Sequence, residues 1–185
     1  MIKRLKVLSL FVFSFVALMA CEPNNPFQTG PAYDEAGNLA IDREKIDAYL
    51  DTARIDSLYR IHDPSGVVVI VQEEGTGTRP TSGTVVYSDY VGSLITDGSV
   101  FDTTLEQVAI DNDIWVENRI YTIFSFVVGS GNVIRGWDFG FRRLRPGSKA
   151  VMIIPSPLAY RDQTSNARIP ANSVLRFDID FYGID

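Results

Sequence analysis

The chain has 185 residues, of which 45% are hydrophobic and 22% charged, a composition typical of one folded domain with short appendages. Its 17 lysines and arginines are outnumbered by 23 aspartates and glutamates, which gives a formal net charge of −6. Because no basic stripe interrupts this acidity, the sequence argues against a nucleic-acid partner.

The first twenty residues are typical of an export signal. They begin MIKRLK, with three positive charges, and continue with the uncharged, mostly apolar run VLSLFVFSFVALMA. A run of this length is short for a membrane span and matches the apolar region of a signal peptide. The pattern predicts a signal peptide at residues 1–20.

Cys21 is the one cysteine of the sequence, and it lies where the signal would be cut. The residues LMAC at 18–21 resemble the bacterial lipobox, in which the cysteine is lipidated and becomes the mature N-terminus. An incidental cysteine beside an ordinary cleavage site is the alternative. Lipidation of Cys21 would hold the protein at a membrane of the bacterial cell envelope, facing the periplasm or the exterior. With one cysteine, an intramolecular disulfide is excluded.

Two segments are predicted ahead of the main domain. Residues 21–40 are rich in Pro, Asn and Gly without periodicity, which indicates a flexible tether. Residues 41–63 are predicted to contain a short N-terminal helix over 42–53, capped by Asp42. Four apolar positions share one face of this helix: Ile46, Tyr49, Leu50 and Ala53. That face is predicted either to pack against the main domain or to pair two copies of the chain.

Strand patterns dominate residues 64–185. Some runs are rich in β-branched residues and others alternate apolar with polar residues. These runs predict strands at 66–72, 84–94, 122–129, 149–155 and 174–182. An Asp-Gly pair within 96–102 favours a tight hairpin. One short helix is predicted over 132–144, ended by the Arg-Pro-Gly-Ser sequence that follows. The combination predicts an α+β domain, an antiparallel sheet that carries one short helix.

The side chains present exclude most catalytic strategies. His62 is the single histidine, and with Cys21 assigned to the lipid no Cys/His nucleophilic pair or His/Cys metal cluster can form. The GSGN sequence at 129–132 is too short for a phosphate-binding fingerprint. The acidic stretch at 111–117 lacks the spacing of a calcium-binding hand. An enzyme built from this sequence would work without a metal or a cofactor.

Three stretches in order carry a family pattern. They are YVGSLITDGSVFDTT at 90–104, FSFVVGSGNVIRGWDFGFRRLRPGSKAVMIIPSPLAY at 124–160 and IPANSVLRFDIDF at 169–181. Together they resemble the FKBP-type peptidyl-prolyl isomerases, and the match extends over roughly residues 66–182. The resemblance implies a curved antiparallel β-sheet wrapped around a short α-helix, in agreement with the fold indicated by the strand pattern.

The resemblance also implies an apolar cleft that receives a proline ring. The positions that match the family's catalytic residues are Tyr90, Phe101, Asp102, Trp137, Tyr160 and Phe177. Trp137 would be the floor, Tyr160 would offer its hydroxyl, and Asp102 would either stand at the rim or merely close the turn. The positions that match further substrate-binding residues are Phe124, Val133, Ile134 and Ile169. The backbone N–H of Ile134 would donate to a substrate carbonyl, and Ile169 would close one side.

The implied activity is rotation about X-Pro bonds in exported proteins, assisting their folding. Proline-containing polypeptides would be the partners, and macrolides such as rapamycin would be possible ligands. Two alternatives use the same fold. One is a chaperone or assembly module that holds proline-containing segments with little or no turnover, and the other is a structural lipoprotein without activity.

The sequence departs from the family pattern in two segments. Arg161 follows the Ala-Tyr pair where relatives commonly have Gly, and Ser165 and Arg168 stand where relatives often have apolar or His side chains. Residues 105–123 form a longer connection than compact relatives need. Its apolar tip at 114–116 is predicted to be a flap over the cleft, a partner contact, or a loop packed on its own sheet.

Overall fold

The computed structural model of the protein describes residues 32–164 and 166–185. The predicted signal peptide, Cys21 and the first part of the predicted tether lie outside the described residues. In chain order the elements are α1 (Glu35–Thr52), β1 (Tyr59–His62), β2 (Val68–Glu73), β3 (Val85–Leu94), β4 (Val100–Thr103), α2 (Glu106–Asp111), β5 (Phe124–Val127), α3 (Arg135–Phe141), β6 (Lys149–Ile154), a 3-10 turn (Ser156–Leu158) and β7 (Leu175–Ile184). Within these described ranges, none of the helices combines the length and apolarity that a bilayer span requires.

The strands of the described residues form one antiparallel sheet of seven strands, in the order β1-β2-β6-β7-β3-β4, with β5 also paired to β3. β3 serves two partners along one edge: residues 85–88 pair with β5, and residues 91–93 pair with β4. This shared edge places Phe101 of β4 and Phe124 of β5 beside the strand that carries Tyr90.

The sheet is covered by a helix on each face. On one face, Trp137 and Phe141 of α3 lie in the larger core together with alternate residues of the central strands, namely Val69, Val71, Ala150, Met152 and Ile154. On the other face, Ile46 of α1 packs in a smaller core with the intervening residues Val68, Ile70, Val151 and Ile153. Because β2 and β6 are buried on both faces, their sequences are continuous apolar runs rather than alternating ones.

The predicted fold class is confirmed: the domain is α+β, with an antiparallel sheet, a short helix and a preceding N-terminal helix. β7 shows the predicted alternation, since the four apolar residues Leu175, Phe177, Ile179 and Phe181 are all buried. Besides the 3-10 turn, one strand and one α-helix were not predicted. β1 is a four-residue edge strand inside the segment predicted to be helical, and α2 has six residues, so neither is long enough to produce a clear periodic pattern.

Helix α1 begins earlier than the sequence pattern predicted, at Glu35 rather than residue 42, so the predicted tether cannot extend to residue 40. Asp34 is the N-cap, and its side chain accepts from the N–H of Gly37 at 2.8 Å. Asp42, predicted to be the cap, is instead a buried mid-helix residue whose carboxylate accepts from the Ser156 N–H at 2.8 Å. Aspartate is suited both to capping a helix and to anchoring a buried backbone N–H. The sequence pattern does not distinguish these two roles, and only the tertiary contacts show which one each aspartate has.

Of the two roles predicted for the apolar face of α1, packing against the main domain is the one observed. Ile46 is buried in the smaller core, and Tyr49 and Leu50 are partly buried against it. The Asp42 carboxylate, which also pairs with Lys45 at 2.8 Å, ties the same helix to the 3-10 turn. Helix α1 is therefore part of the domain.

The two glycines of α3 allow this helix to approach the sheet closely. A Cβ atom on Gly136 would overlap the side chain of Ile154, and one on Gly140 would overlap the sulfur of Met152. Both partners belong to β6 and are fully buried. The absence of these two side chains sets the depth of α3, and so the position of Trp137 between them.

We predict that Gly136→Ala destabilises the protein more than Gly140→Ala, by about 1 kcal/mol or more. Each variant replaces a glycine of the same short helix by alanine and gains at most about 1 kcal/mol of helix propensity, so a larger difference between the two reports packing. Ile154 is β-branched and stiff, whereas the flexible Met152 side chain can move aside. Urea unfolding would measure both, with Gly183→Ala, where the added methyl meets open space, as the control. Equal destabilisation by the two α3 variants would contradict this account of the packing.

Candidate active site

A cavity of about 590 Å³ opens between the N-terminal end of α3, the β3–β4–β5 edge and the turn after β6. This volume is in the range of small-molecule sites. Its lining contains nine of the ten side chains that the sequence assigned to a proline cleft, namely Tyr90, Phe101, Asp102, Phe124, Val133, Ile134, Trp137, Tyr160 and Phe177. The roles of these residues stay predictions, but the fold brings them together.

Ile169 is the residue that the structure places elsewhere. It is 3% exposed, lies in the larger core, and does not line the cavity. Its position in the sequence, close to β7, gave no means of distinguishing a residue under the cleft from one at its side.

Trp137, the predicted floor, lines the cavity and is 4% exposed. Three rings stand almost perpendicular to the indole: Tyr90 with centroids 5.0 Å apart, Phe177 at 5.3 Å and Phe124 at 5.5 Å. Edge-to-face contacts of this kind are favourable because the positive ring edge meets the negative face. Since several rings from different strands hold the indole, its orientation is determined by the sheet.

The indole N–H of Trp137 is buried and finds no hydrogen-bond partner among the described residues. Leaving a buried donor unpaired costs about 1–3 kcal/mol. With no polar partner in the described part of the chain, the indole is held by apolar and aromatic contacts. Such surroundings are suited to binding a hydrocarbon ring.

Asp102 lies at the rim of the cavity in a network of three side chains. One carboxylate oxygen accepts from the Tyr90 hydroxyl at 2.5 Å, and the other accepts from the Arg119 guanidinium at 2.7 Å. Arg119 also donates to the Thr103 carbonyl at 2.8 Å and lies over the ring of Tyr121, 4.9 Å from its centroid. The carboxylate is thus held in place from inside the cleft and from the long connection at 105–123.

The two tyrosines of the cleft both hold their protons more firmly than a free phenol. Burial, followed by the hydrogen bond and charge of Asp102, raises the pKa of Tyr90. Burial and then the charge of Asp102 raise the pKa of Tyr160, which is 38% exposed with its ring on the cavity wall. Both hydroxyls are therefore neutral donors at physiological pH.

Arg119, which holds the Asp102 carboxylate, is a residue that the sequence reasoning missed. It lies in the segment 105–123, outside the family motifs, and nothing in its neighbourhood pointed to Asp102, 17 positions away. The same segment does not line the cavity: Ile114 is buried, whereas Trp115 and Val116 are exposed. Of the predicted roles for its apolar tip, a flap over the cleft is not observed.

The comparisons with known proteins agree with this geometry. A family model described as FKBP-type peptidyl-prolyl cis-trans isomerase matches residues 76–182, more than half of the chain. The chain belongs to the FKBP-type peptidyl-prolyl cis-trans isomerase family. The prediction of an FKBP-type isomerase domain is confirmed.

Individual FKBP-type relatives cover the domain to different extents. FK506-binding protein 1A of Neurospora crassa is 36% identical over 120 residues, which is 64% of this chain and 88% of that protein. FK506-binding protein 4 of Rhizopus delemar is 34% identical over 116 residues, 63% of this chain and 26% of that protein. The chain therefore spans about a quarter of the length of this longer relative.

Among solved structures, FkpA from Escherichia coli is similar in fold, with a TM-score of 0.59 and 25% identity, and the match covers 82% of this chain and 61% of that one. The match is longer than the 76–182 segment of the family model.

The network at the cleft predicts how Tyr90 titrates. Phenolate absorbance is followed as the pH is raised, in the wild type and in Tyr90→Phe, and the difference between the two curves reports Tyr90. We expect this difference to show ionisation well above the usual tyrosine pKa of about 10. Asp102→Asn should lower the pKa of Tyr90 part of the way, because burial remains when the charge is removed.

The control for this titration is Asp89→Asn. Asp89 accepts from Tyr182, whose pKa is raised to about 12, so this variant should shift Tyr182 and leave Tyr90 unchanged. A Tyr90 that titrates as a free phenol would contradict the network.

Proposed function

We propose that this FKBP-type domain catalyses rotation about X-Pro peptide bonds in exported proteins, while the chain is held at the cell envelope by a lipid on Cys21. The observation that supports the activity best is the aromatic cavity lined by Trp137 and the rings packed against it, with a polar network at Asp102. This arrangement offers an apolar seat for a proline ring beside hydrogen-bond donors for the flanking carbonyls.

The chemistry to be accelerated is rotation about a partial double bond. Amide resonance keeps the bond planar with a barrier of about 18–20 kcal/mol, and the uncatalysed step takes tens to hundreds of seconds. Resonance places negative charge on the carbonyl oxygen, and water stabilises that charge. The twisted bond has a less polar carbonyl, so a cleft that excludes water disfavours the planar ground state relative to the transition state.

The described side chains supply the parts that such a mechanism needs. The rings around Trp137 exclude water from the proline ring. Tyr160 has its ring on the wall and a protonated hydroxyl, which can donate to a substrate carbonyl. The N–H of Ile134, at the residue before α3, is the proposed second donor. Asp102 acts by orienting Tyr90 rather than by proton transfer.

Ligands and anchor complete the proposal. Relatives named as FK506-binding proteins support an FK506-like macrolide as a ligand of the same cleft. The signal-like residues 1–20 and the lipobox-like LMAC at 18–21 support export and lipidation. The location at a bacterial envelope membrane, and exported proteins as clients, rest on this sequence pattern.

A second function, holding unfolded clients, is favoured by one observation. The segment 105–123, whose Arg119 pairs with Asp102, exposes six large apolar side chains: Leu105, Ile110, Trp115, Val116, Ile120 and Ile123. Such a surface would contact apolar client segments while the cleft binds proline. If this second function is the correct one, the protein should prevent an unfolded client from aggregating. It should not accelerate the refolding of a client whose folding is limited by proline isomerisation.

We predict that Trp137→Ala lowers kcat/KM for a proline-containing tetrapeptide about tenfold or more, because the floor of the cleft is lost. Trp115→Ala, which removes the exposed tryptophan of the 105–123 segment, should leave turnover near the wild-type value. Cis–trans isomerisation of the peptide, followed with the full chain, measures both. Equal turnover in the two variants would count against the cleft.

A binding measurement covers the case in which Trp137→Ala fails to fold. The sequence has two tryptophans, so Trp115→Phe leaves Trp137 as the single indole emitter. Addition of a proline peptide should change its emission, and a matched peptide with alanine in place of proline should not. Binding without turnover would favour the holding function, and no response to either peptide would overturn both candidates.

We predict that a bacterial host attaches a labelled fatty acid to the full chain at Cys21 and that the product sediments with membranes. Cys21→Ser should lose the label, because the serine hydroxyl cannot form the thioether to the lipid. Ala20→Gly, which keeps a small residue before the cysteine, is the control and should retain it. Label in the serine variant would contradict the assignment of Cys21.

A further inference from the structure

Two arginines lie at the rim of the cleft, and each follows in sequence a residue that is proposed to bind the substrate. Arg135 follows Ile134, and Arg161 follows Tyr160. Both line the cavity, and their side chains are 51% and 42% exposed. Any charged side chain next to a bound proline would therefore be close to these two cations.

The two cations share a single carboxylate. Glu35, in the first turn of α1, accepts from Arg135 at 2.9 Å and from Arg161 at 3.4 Å. The third charged residue of the cavity wall, Asp102, is already paired with Arg119 at 2.7 Å. Counting these five groups, the rim carries one positive charge in excess, on a chain whose formal net charge is −6.

Arg161 is held firmly in an unusual backbone conformation. Its φ of +57° lies in the left-handed region, which favours glycine. Its N–H donates to the Ser156 carbonyl at 3.0 Å, and its carbonyl accepts from the Asn172 N–H at 2.7 Å. Strained conformations of this kind concentrate at functional sites.

The guanidinium of Arg161 also lies over the ring of Tyr33, 5.6 Å from its centroid. The Tyr33 hydroxyl in turn donates to the Asn172 side chain at 3.1 Å, so the ring is fixed to the same loop that holds the Arg161 backbone. The cation is thus placed by the segment that precedes α1, which makes the N-terminal part of the domain a component of the cleft rim.

We propose that Arg135 and Arg161 form a subsite for a carboxylate side chain, so that the protein prefers polypeptides with an acidic residue next to the proline. The inference rests on the proposed isomerase function and names its substrate class. Guanidiniums bind carboxylates through paired N–H donors, and an incoming carboxylate needs only to share or displace Glu35.

The test compares tetrapeptides that differ only in Glu, Gln or Lys, placed before the proline in one series and after it in a second. With the full chain, kcat/KM for the Glu peptide should exceed that for the Gln peptide about two- to fivefold in at least one series, and the Lys peptide should be the poorest. The ratio should approach one at high ionic strength, because the pair is exposed.

Variants locate the effect. Arg135→Gln and Arg161→Gln should each lower the Glu/Gln ratio, and Glu35→Gln should raise it, because both guanidiniums lose their competitor. Lys149→Gln is the matched control: it removes one positive charge and one exposed ion pair, with Glu73 at 2.9 Å, outside the cleft. It should leave the ratio unchanged.

The outcomes separate the subsite from the activity. Turnover of the neutral Gln peptide tests the isomerase activity, and the Glu/Gln ratio of kcat/KM tests the subsite. If no peptide is turned over, calorimetric Kd values for the same peptides supply the ratio. A ratio at or below one in both series, a ratio unaffected by the double Arg135→Gln, Arg161→Gln variant, or no binding of any peptide would overturn the proposal.

Discussion

The close packing of α3 against β6 is the constraint on which the rest of the site depends. Gly136 and Gly140 bring the helix so near the sheet that Ile154 and Met152 occupy the space where side chains would be. This depth puts the indole of Trp137 at the centre of rings from β3, β5 and β7. The cavity opens at the N-terminal end of this helix, and the indole is part of its lining.

The charged groups at the rim form two clusters. In each cluster, one member comes from a segment that is distant in the sequence. The Tyr90–Asp102 pair is completed by Arg119 from the connection between β4 and β5. Glu35, from the start of α1, joins Arg135 to Arg161. Surface pairs of this exposure contribute little to stability, about 0–1 kcal/mol, so their main effect is on which charges a substrate meets.

Much of the site could be predicted because family motifs keep the apolar walls in a recognisable order. Tyr90, Phe101 and Trp137 each lie within such a motif, and the cavity contains them. Ile169 lies in a motif too, yet it does not line the cavity, because a motif specifies a neighbourhood and not the direction of a side chain. Arg119 and Glu35 lie outside every motif, and their roles come from contacts across more than 15 residues of chain.

By itself, the sequence determined the longer strands, the short helix α3 and the family, because periodicity and motif order are properties of neighbouring residues. The α+β class followed from the same local information. Only the tertiary structure decided that Asp34 caps α1 while Asp42 is a buried anchor for Ser156, and that two arginines at the cleft share one glutamate. These facts depend on which surfaces meet after folding, and local patterns contain no distance between residues far apart in the chain.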